Sequence, residues 1–136
     1  MQGPRSIDAL LQSLQSLNSR ERDMAALDLM DLGDARAVPA LLNAIARPGN
    51  VNHRGTLVYA LSAFDPQPHL EALVALVLTG NFEVSSGAFS ILENVTRSEE
   101  SISRMRAALA QHPVADTPQD HHLVAMEHLR DLFEIS

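Results

Sequence analysis

One apolar pattern recurs at a nearly constant interval along this chain of 136 residues. An arginine is followed by two small or apolar residues and then by leucines at helical spacing. The two clearest copies are Arg22-x-x-Ala25-Ala26-x-x-Leu29-x-x-Leu32 and Arg54-x-x-Leu57-Val58-x-x-Leu61-x-x-Phe64, with looser copies from Ala88 to Val95 and from Ala125 to Leu132. Leu29, Leu61 and Leu92 follow one another at intervals of about 32 residues. A period of that length is typical of a helix pair that buries its apolar stripe only against neighbouring pairs.

The breaks between these apolar stretches predict eight helices and no strand. Ser6 is expected to cap a first helix whose apolar stripe extends to Leu17. Ser19 is expected to cap the second helix, Gly33 to end it in a left-handed conformation, and Asp34 to cap the third. Later boundaries are expected at Arg47-Pro48-Gly49-Asn50, Asp65-Pro66, Gly80-Asn81, Ser98, His112-Pro113 and Thr117-Pro118. Because the connections are short, successive helices are expected to lie antiparallel.

The length of the chain predicts a single domain of about four helix pairs. We expect an N-terminal cap helix at residues 6–17, a repeat core at 19–111 and a C-terminal cap helix at 117–134. The helix from His69 to Thr79 is apolar nearly all round, which predicts burial on more than one side. A central position between neighbouring repeats explains that pattern, and an apolar groove along this helix is the alternative.

The segment LMDLGDARAVPALLNAI, residues 29–45, resembles HEAT repeats of the short bacterial type found in proteins related to phycobilin lyases. The matching positions are Arg22, Ala25, Ala26, Leu29, Leu32, Gly33, Asp34, Ala37, Val38 and Leu41. The next repeat keeps Arg54 and Leu61, whereas the third keeps only the apolar skeleton. The resemblance covers about residues 19–111 and implies an all-α, right-handed α–α superhelix with second helices on its concave side. It implies little about activity, because that family includes scaffolds, inhibitors and a few enzymes.

The charge balance and the missing residue types exclude several classes of function. The formal net charge is −7, which disfavours a nucleic-acid partner and favours a basic one. There is no cysteine, and therefore no disulfide, thiolate metal site or cysteine nucleophile. The most apolar stretch, Leu70 to Leu78, is far shorter than the roughly 20 residues of a membrane span. The first residues contain no apolar run typical of a secretory signal, so we expect a cytoplasmic protein with no membrane partner.

No combination of residues in the sequence predicts catalysis. A phosphate-binding loop, a nucleophile elbow and a zinc-protease motif are all missing from the sequence, so we expect neither an enzyme nor a cofactor. His121 and His128 share a helix face but lie about 10 Å apart along it. One ion cannot join them at zinc–nitrogen distances near 2 Å, and no metal site is predicted.

The resemblance also implies where a partner would bind. The solvent-facing positions of the second helices would line the concave side: Arg36, Asn43 and Arg47, then Ala72, Ala75 and Thr79, then Arg104, Ala107 and Gln111. The candidate partner-binding residues among them are Arg36, Asn43, Arg47, Thr79, Arg104 and Gln111, because arginines anchor interfaces and the small residues permit close approach. The competing surface is an acidic patch of Asp23, Asp28 and Asp31, which would steer a basic partner or simply face water.

These features favour a non-enzymatic protein–protein interaction module. A more specific hypothesis is a small acidic inhibitor, such as an immunity protein that covers the active site of a toxin. The alternative is a small-molecule or chromophore-handling protein, by analogy with the lyase relatives, which would need a concave pocket with converging polar groups. Aromatic side chains would help to hold such a ligand, but most of them are expected to face the core: Tyr59, Phe64, Phe82, Phe89 and Phe133.

Overall fold

The computed structural model describes residues 6–50, 53–95, 98–111 and 120–134, with the backbone alone at 120–122 and 133–134. Within those ranges the chain forms α-helices and two short 3₁₀ turns, Pro48–Asn50 and Gln67–His69, and no strand. The helices are α1 (Ile7–Ser13), α2 (Ser19–Leu32), α3 (Ala37–Ala46), α4 (Gly55–Leu61), α5 (Leu70–Thr79), α6 (Phe82–Glu93), α7 (Glu99–Gln111) and α8 (Asp120–Glu134). The predicted all-α fold is therefore confirmed. The chain divides into two compact units, an N-terminal unit of Met1–Phe64 and a C-terminal unit of Asp65–Ser136.

The helix boundaries of the N-terminal unit follow capping chemistry, with one shift from the expected residue. Ser6 caps α1, and Gly33 ends α2 in the left-handed conformation at φ 68°, both as predicted. The cap of α2 is Asn18 and not Ser19, because the Asn18 side chain accepts a hydrogen bond from the Glu21 N–H at 3.1 Å. Both residue types are strong caps, and the asparagine precedes the serine by one position.

The first helix is shorter than the predicted 6–17 because the chain tightens after Ser13. The Gln15 N–H donates to the carbonyl of Gln12, which is a three-residue turn rather than a helical bond. This change of spacing takes Leu17 off the buried stripe, and its side chain is 92% exposed. Leu14, one turn earlier, remains buried as predicted.

Asp34 shapes the turn before α3 instead of capping that helix. Its carboxylate accepts the N–H of Arg36 at 2.9 Å, and its carbonyl accepts the N–H of Ala37, where α3 begins. Bonding of an aspartate to the N–H two residues on is a recurrent turn geometry. The aspartate thus reverses the chain before the helix starts.

In the N-terminal unit α2 packs against α1, α3 and α4. The small pair Ala25 and Ala26 is fully buried, which lets neighbouring helices approach closely, and Leu29 is buried between them. Burial of one such leucine side chain contributes about 1.5–3 kcal/mol. The repeat arginine Arg22 is also buried, and its Nη1 donates to the Ser16 carbonyl at 2.7 Å.

In the C-terminal unit α5 is the central helix and packs against α6, α7 and α8. Its buried residues are Leu70, Leu73, Val74, Leu76, Val77 and Leu78, so the predicted burial on more than one side is confirmed. Asn81 caps α6 by accepting the Val84 N–H, as predicted. The expected cap at Thr117-Pro118 lies outside the described residues. No helix in the described ranges is long and apolar enough to cross a bilayer.

Candidate interaction surfaces

The nine positions predicted to form a concave ridge are all accessible to solvent. Five are exposed or half-buried polar or small residues within helices, and the other four lie at helix ends: Arg36, Arg47, Thr79 and Gln111. Three of the six candidate residues lie in the N-terminal unit and three in the C-terminal unit. The helical spacing therefore identified outward-facing residues correctly, and their local surroundings can be taken unit by unit.

Two candidates of the N-terminal unit border a groove between α1 and α3. Its volume is about 290 Å³, and it is lined by Leu11, Leu14, Gln15, Ala40, Asn43, Ala44 and Arg47. Leu14 and Ala44 are buried and make an apolar floor, whereas Asn43 is exposed at the edge. Arg47 spans the groove, since its Nη2 donates to the Gln15 carbonyl at 3.3 Å. The α1–α3 groove therefore combines apolar surface with hydrogen-bond donors.

Arg36, the third candidate of this unit, is engaged in a local ion pair. Its Nη2 lies 2.8 Å from Asp34 Oδ2, and its Nε donates to the same carboxylate at 3.2 Å. This hydrogen bonding lowers the pKa of Asp34 and raises that of Arg36. The guanidinium side chain is 63% exposed, so a partner could still reach it from the solvent side.

In the C-terminal unit Arg104 joins α7 to the start of α5. Its Nε and Nη2 each donate to one oxygen of Glu71 at 2.7 Å, and its Nη1 donates to the Gln67 carbonyl at 2.7 Å. The hydrogen bonds from Arg104 lower the pKa of Glu71, and Glu71 in turn raises the pKa of the arginine. Ser101 adds to this cluster by donating to the Gln67 side chain at 2.8 Å. Arg104 is thus largely used in holding two helices together.

Thr79 and Gln111, the other two candidates of this unit, are exposed. The Thr79 hydroxyl donates to the Ala75 carbonyl at 2.8 Å within its own helix. Gln111 is the last residue of α7. Thr79 therefore hydrogen-bonds within its own helix, whereas Arg104 hydrogen-bonds Glu71 and Gln67, so the two candidates share no hydrogen-bond partner.

The acidic patch on α2 contains a basic and an apolar side chain as well as carboxylates. Asp28 and Asp31 are exposed and Asp23 is half-buried. A shallow depression of about 410 Å³ on this helix is lined by Asn18, Arg20, Glu21, Met24 and Asp28. A cation and an exposed methionine therefore accompany the carboxylates on this surface.

A second apolar groove, between α6 and α8, was missed by the sequence interpretation. Its volume is about 430 Å³, and it is lined by Phe82, Ser85, Ser86, Phe89, Ser90, Val124, Ala125 and His128. Phe82 is 68% exposed and Tyr59 is 58% exposed, so the expectation that they face the core was wrong. Phe64 and Phe89 are half-buried, and the side chain of Phe133 lies outside the described residues.

Helical geometry explains the exposure of these aromatic residues and could have revealed the groove. Each residue turns the helix by about 100°, so Phe82 and Phe89, seven apart, share one side of α6. The buried stripe of that helix, which includes Val84 and Ala88, faces another direction. Two aromatic residues on one side of a helix, outside its apolar stripe, were therefore the available signal.

His69 is a second residue that sequence reasoning did not single out. It precedes α5, its side chain is only 7% exposed, and neither ring nitrogen has a hydrogen-bond partner. Burial lowers its pKa and nearby Arg104 lowers it further, while Asp65 and Glu71 act in the opposite direction. His69 directly follows Pro68 at the end of a short turn, so its position gave no periodic signal for this burial.

The described part of the chain contains no group of three acidic or histidine side chains that could hold a metal ion.

Residues 21–47, which comprise most of α2 and all of α3, match the family model for the PBS lyase HEAT-like repeat. No curated protein and no solved structure matches the chain significantly.

Proposed function

Because the chain is a HEAT-like repeat protein, we propose that it is a non-enzymatic module that binds another protein through the α1–α3 groove. Repeat scaffolds of helix pairs present extended surfaces built from many exposed side chains. The observation that carries the proposal is the composition of this groove, in which buried Leu14 and Ala44 lie beside accessible Asn43 and Arg47. An apolar floor with donors at its edge matches the core and rim of a protein interface.

Arg47 and Asn43 are the proposed anchors within the groove. A guanidinium has five N–H donors, and the bond from Arg47 to the Gln15 carbonyl is long at 3.3 Å. Arg47 can therefore turn toward a partner carbonyl or carboxylate, because giving up this long hydrogen bond costs little free energy. Arg36 and Arg104 would have to leave the carboxylates of Asp34 and Glu71, so we rank them below Arg47.

The proposed partner is a basic protein, because the chain carries a net charge of −7. Opposite charge raises the rate of encounter and favours correct orientation. A small acidic inhibitor that covers a basic active site, such as an immunity protein, is the specific form of this proposal. The size and charge of the chain support it.

The experiment that tests the proposal places a photo-crosslinking amino acid at position 43 of the full chain in its native cells. The matched control carries it at position 31, which is exposed on α2. We expect one discrete adduct from position 43 and none from position 31. An adduct from position 31 alone would move the interface to the acidic patch. No protein adduct, together with thermal stabilisation by a tetrapyrrole, would favour the chromophore-handling alternative.

Binding kinetics with the captured partner then separate anchors from steering charges. Asn43→Ala combined with Arg47→Ala should mainly speed dissociation, because both groups contact the partner directly. Asp28→Lys combined with Asp31→Lys should mainly slow association, with a smaller effect at high salt. Unchanged affinity in the first double variant would exclude the α1–α3 groove as the binding surface.

A further inference from the structure

The geometry points to the α6–α8 groove as a second docking surface, one that takes an amphipathic helix from a basic partner protein. This groove lies in the C-terminal unit, and its test does not depend on the α1–α3 groove. Four features of the groove support the inference: its exposed apolar walls, the small residues between them, the charges beside it and its open shape.

The walls of the groove expose large apolar side chains. Phe82 is 68% and Val124 48% exposed, and Phe89 stacks obliquely on the His128 ring with centroids 5.8 Å apart. Contiguous exposed apolar surface marks interaction sites on soluble proteins. Phe82 and Phe89 are separated by about 10 Å along α6, which is two helical turns. A partner helix with apolar residues at i, i+3, i+4 and i+7 presents anchors over the same length.

The residues between the walls are small, and the buried polar group among them needs no hydrogen bond from a ligand. Ser86 and Ser90 are exposed and Ala125 is half-buried, so another helix can approach closely. Ser85 is buried, and its hydroxyl donates to the Val77 carbonyl at 2.7 Å. The deepest polar group of the groove is therefore already hydrogen-bonded, and an apolar side chain can cover it without leaving it unsatisfied.

The charges on the two helices select a basic occupant. Glu83, Glu127 and Asp131 are exposed beside the lining residues, and Arg130 is the one arginine among the described side chains of α6 and α8. Lysine or arginine residues flanking the apolar stripe of a partner helix would meet these carboxylates. A second copy of this chain, with its own net charge of −7, would bring like charges together instead.

The shape of the groove favours a helix over a small molecule. Pockets for small ligands bury about 70–90% of the ligand surface. Here Phe82 on one side and Val124 on the other are both exposed, so the groove is open to solvent along two rims. An elongated ligand can cover both rims at once, which a compact ligand cannot do.

Three fluorescent synthetic peptides of equal length test the inference on the full chain. The first is an amphipathic helix of leucine and lysine, the second keeps the leucines but replaces lysine with glutamate, and the third scrambles the first. Fluorescence anisotropy measures each affinity. We expect the leucine–lysine helix to bind most tightly, about tenfold or more above the scrambled peptide. Equal binding of the glutamate peptide would overturn the assignment of a basic occupant.

Groove variants locate the binding. Ser86→Arg fills the groove and should weaken the leucine–lysine peptide by about tenfold or more. Ser103→Arg makes the same change at an exposed position of α7 and should leave the affinity within about twofold. Glu127→Gln combined with Asp131→Asn should weaken binding and reduce its salt dependence.

Phe82→Ala provides a second test that does not introduce charge into α6. Because Phe82 is largely exposed, the variant should fold normally, as circular dichroism can check, and still lose affinity for the peptide. Equal affinity of the Ser86→Arg and Ser103→Arg proteins, or unchanged affinity in Phe82→Ala, would overturn the docking surface. Self-association of the wild-type chain that Ser86→Arg abolishes would assign the groove to a second copy and equally overturn the inference.

Discussion

The N-terminal and C-terminal units reach similar helical packing from sequences of different regularity. The N-terminal unit contains the family match at residues 21–47 and its Gly33-Asp34 turn. The C-terminal unit keeps only the apolar skeleton, yet Ala88 and Leu92 are as fully buried as Ala25 and Leu29. The periodic apolar stripe is thus sufficient for packing, and the remaining consensus residues serve particular turns and buried polar contacts.

The two units differ most in the element at their centre and in their buried polar groups. In the N-terminal unit α2 is the helix with the most neighbours, and it buries Arg22 with a hydrogen bond to Ser16. In the C-terminal unit the corresponding helix is α5, and the buried titratable group beside it is His69, whose ring nitrogens have no hydrogen-bond partner. Mutations in the core, in the turns and at the buried histidine can therefore show how the stabilities of the two units differ.

The largest difference is expected from truncating equivalent leucines of α3 and α5. Leu41 and Leu73 lie 32 residues apart, which is one repeat period, and both are fully buried. Leu73→Ala should lower the free energy of unfolding by about 4 kcal/mol, and Leu41→Ala by about 3 kcal/mol, within the range for buried leucines. The reason is that α5 contacts three helices of its unit, so a cavity there loses more packing partners. Urea unfolding followed by circular dichroism measures both values.

Leu27→Ala is the matched control for these two variants, because Leu27 is 40% exposed on α2. Its effect should be well below 2 kcal/mol, since little packing is removed. A larger loss of stability from Leu41→Ala than from Leu73→Ala would show that the number of neighbouring helices does not determine how much a buried leucine contributes to stability.

The turn between α5 and α6 should be more sensitive to a methyl group than the turn after α3. A Cβ at Gly80 would lie 2.6 Å from Val84 Cγ1 and 2.7 Å from the Leu76 carbonyl oxygen, whereas one at Gly49 would meet nothing within 4 Å. Gly80→Ala should therefore destabilise the protein by about 1–3 kcal/mol through overpacking. Gly49→Ala should be neutral or slightly stabilising. Equal melting temperatures for the two variants would show that the α5–α6 turn relaxes without strain.

Helical periodicity was sufficient to predict the fold but not the details at helix ends. The spacing of Leu29, Leu61 and Leu92 identified the buried face, and all three are fully buried. It failed at Leu17, because a helix can tighten and end before its apolar stripe does. Only Ser19 was expected to cap α2, but the adjacent Asn18 does so, and capping propensity does not distinguish these two residue types.

The candidate surfaces were harder to predict because they depend on contacts between helices. Spacing found that Asn43 and Arg47 face outward, but not that α1 makes a groove with them. Nor could it show that Arg104 is held by Glu71, which lies 33 positions earlier in the chain. Phe82 was expected at a core-facing position, but its side chain is 68% exposed.

Acidification should destabilise the C-terminal unit through His69. Because burial lowers its pKa in the folded state, the unfolded chain binds a proton more readily than the folded protein. The free energy of unfolding should therefore be at its full value above the usual histidine pKa of 6.5 and fall as the pH drops below it. His69→Leu should show less of this fall in urea titrations at pH values on either side of 6.5.

His53→Leu is the control for the pH experiment. His53 is exposed in the N-terminal unit, so its replacement should leave the pH dependence of the wild type in place. Carboxylates titrate at lower pH and are the same in both variants, so their contribution cancels in the comparison. An identical fall of stability in His69→Leu and His53→Leu would exclude the buried ring as its cause.

The smallest expected effect concerns the ion pair between Arg104 and Glu71. The pair is forked and joins α5 to α7, but the side chains remain 30% and 47% exposed, so solvent screens much of the attraction. A double-mutant cycle with Arg104→Ala and Glu71→Ala should give a coupling of about 0.5 kcal/mol, reduced by added salt. The Arg36–Asp34 pair, more exposed and confined to one turn, should show less coupling in the same cycle. A stronger coupling in the N-terminal unit would mean that bridging two helices adds nothing to a surface pair.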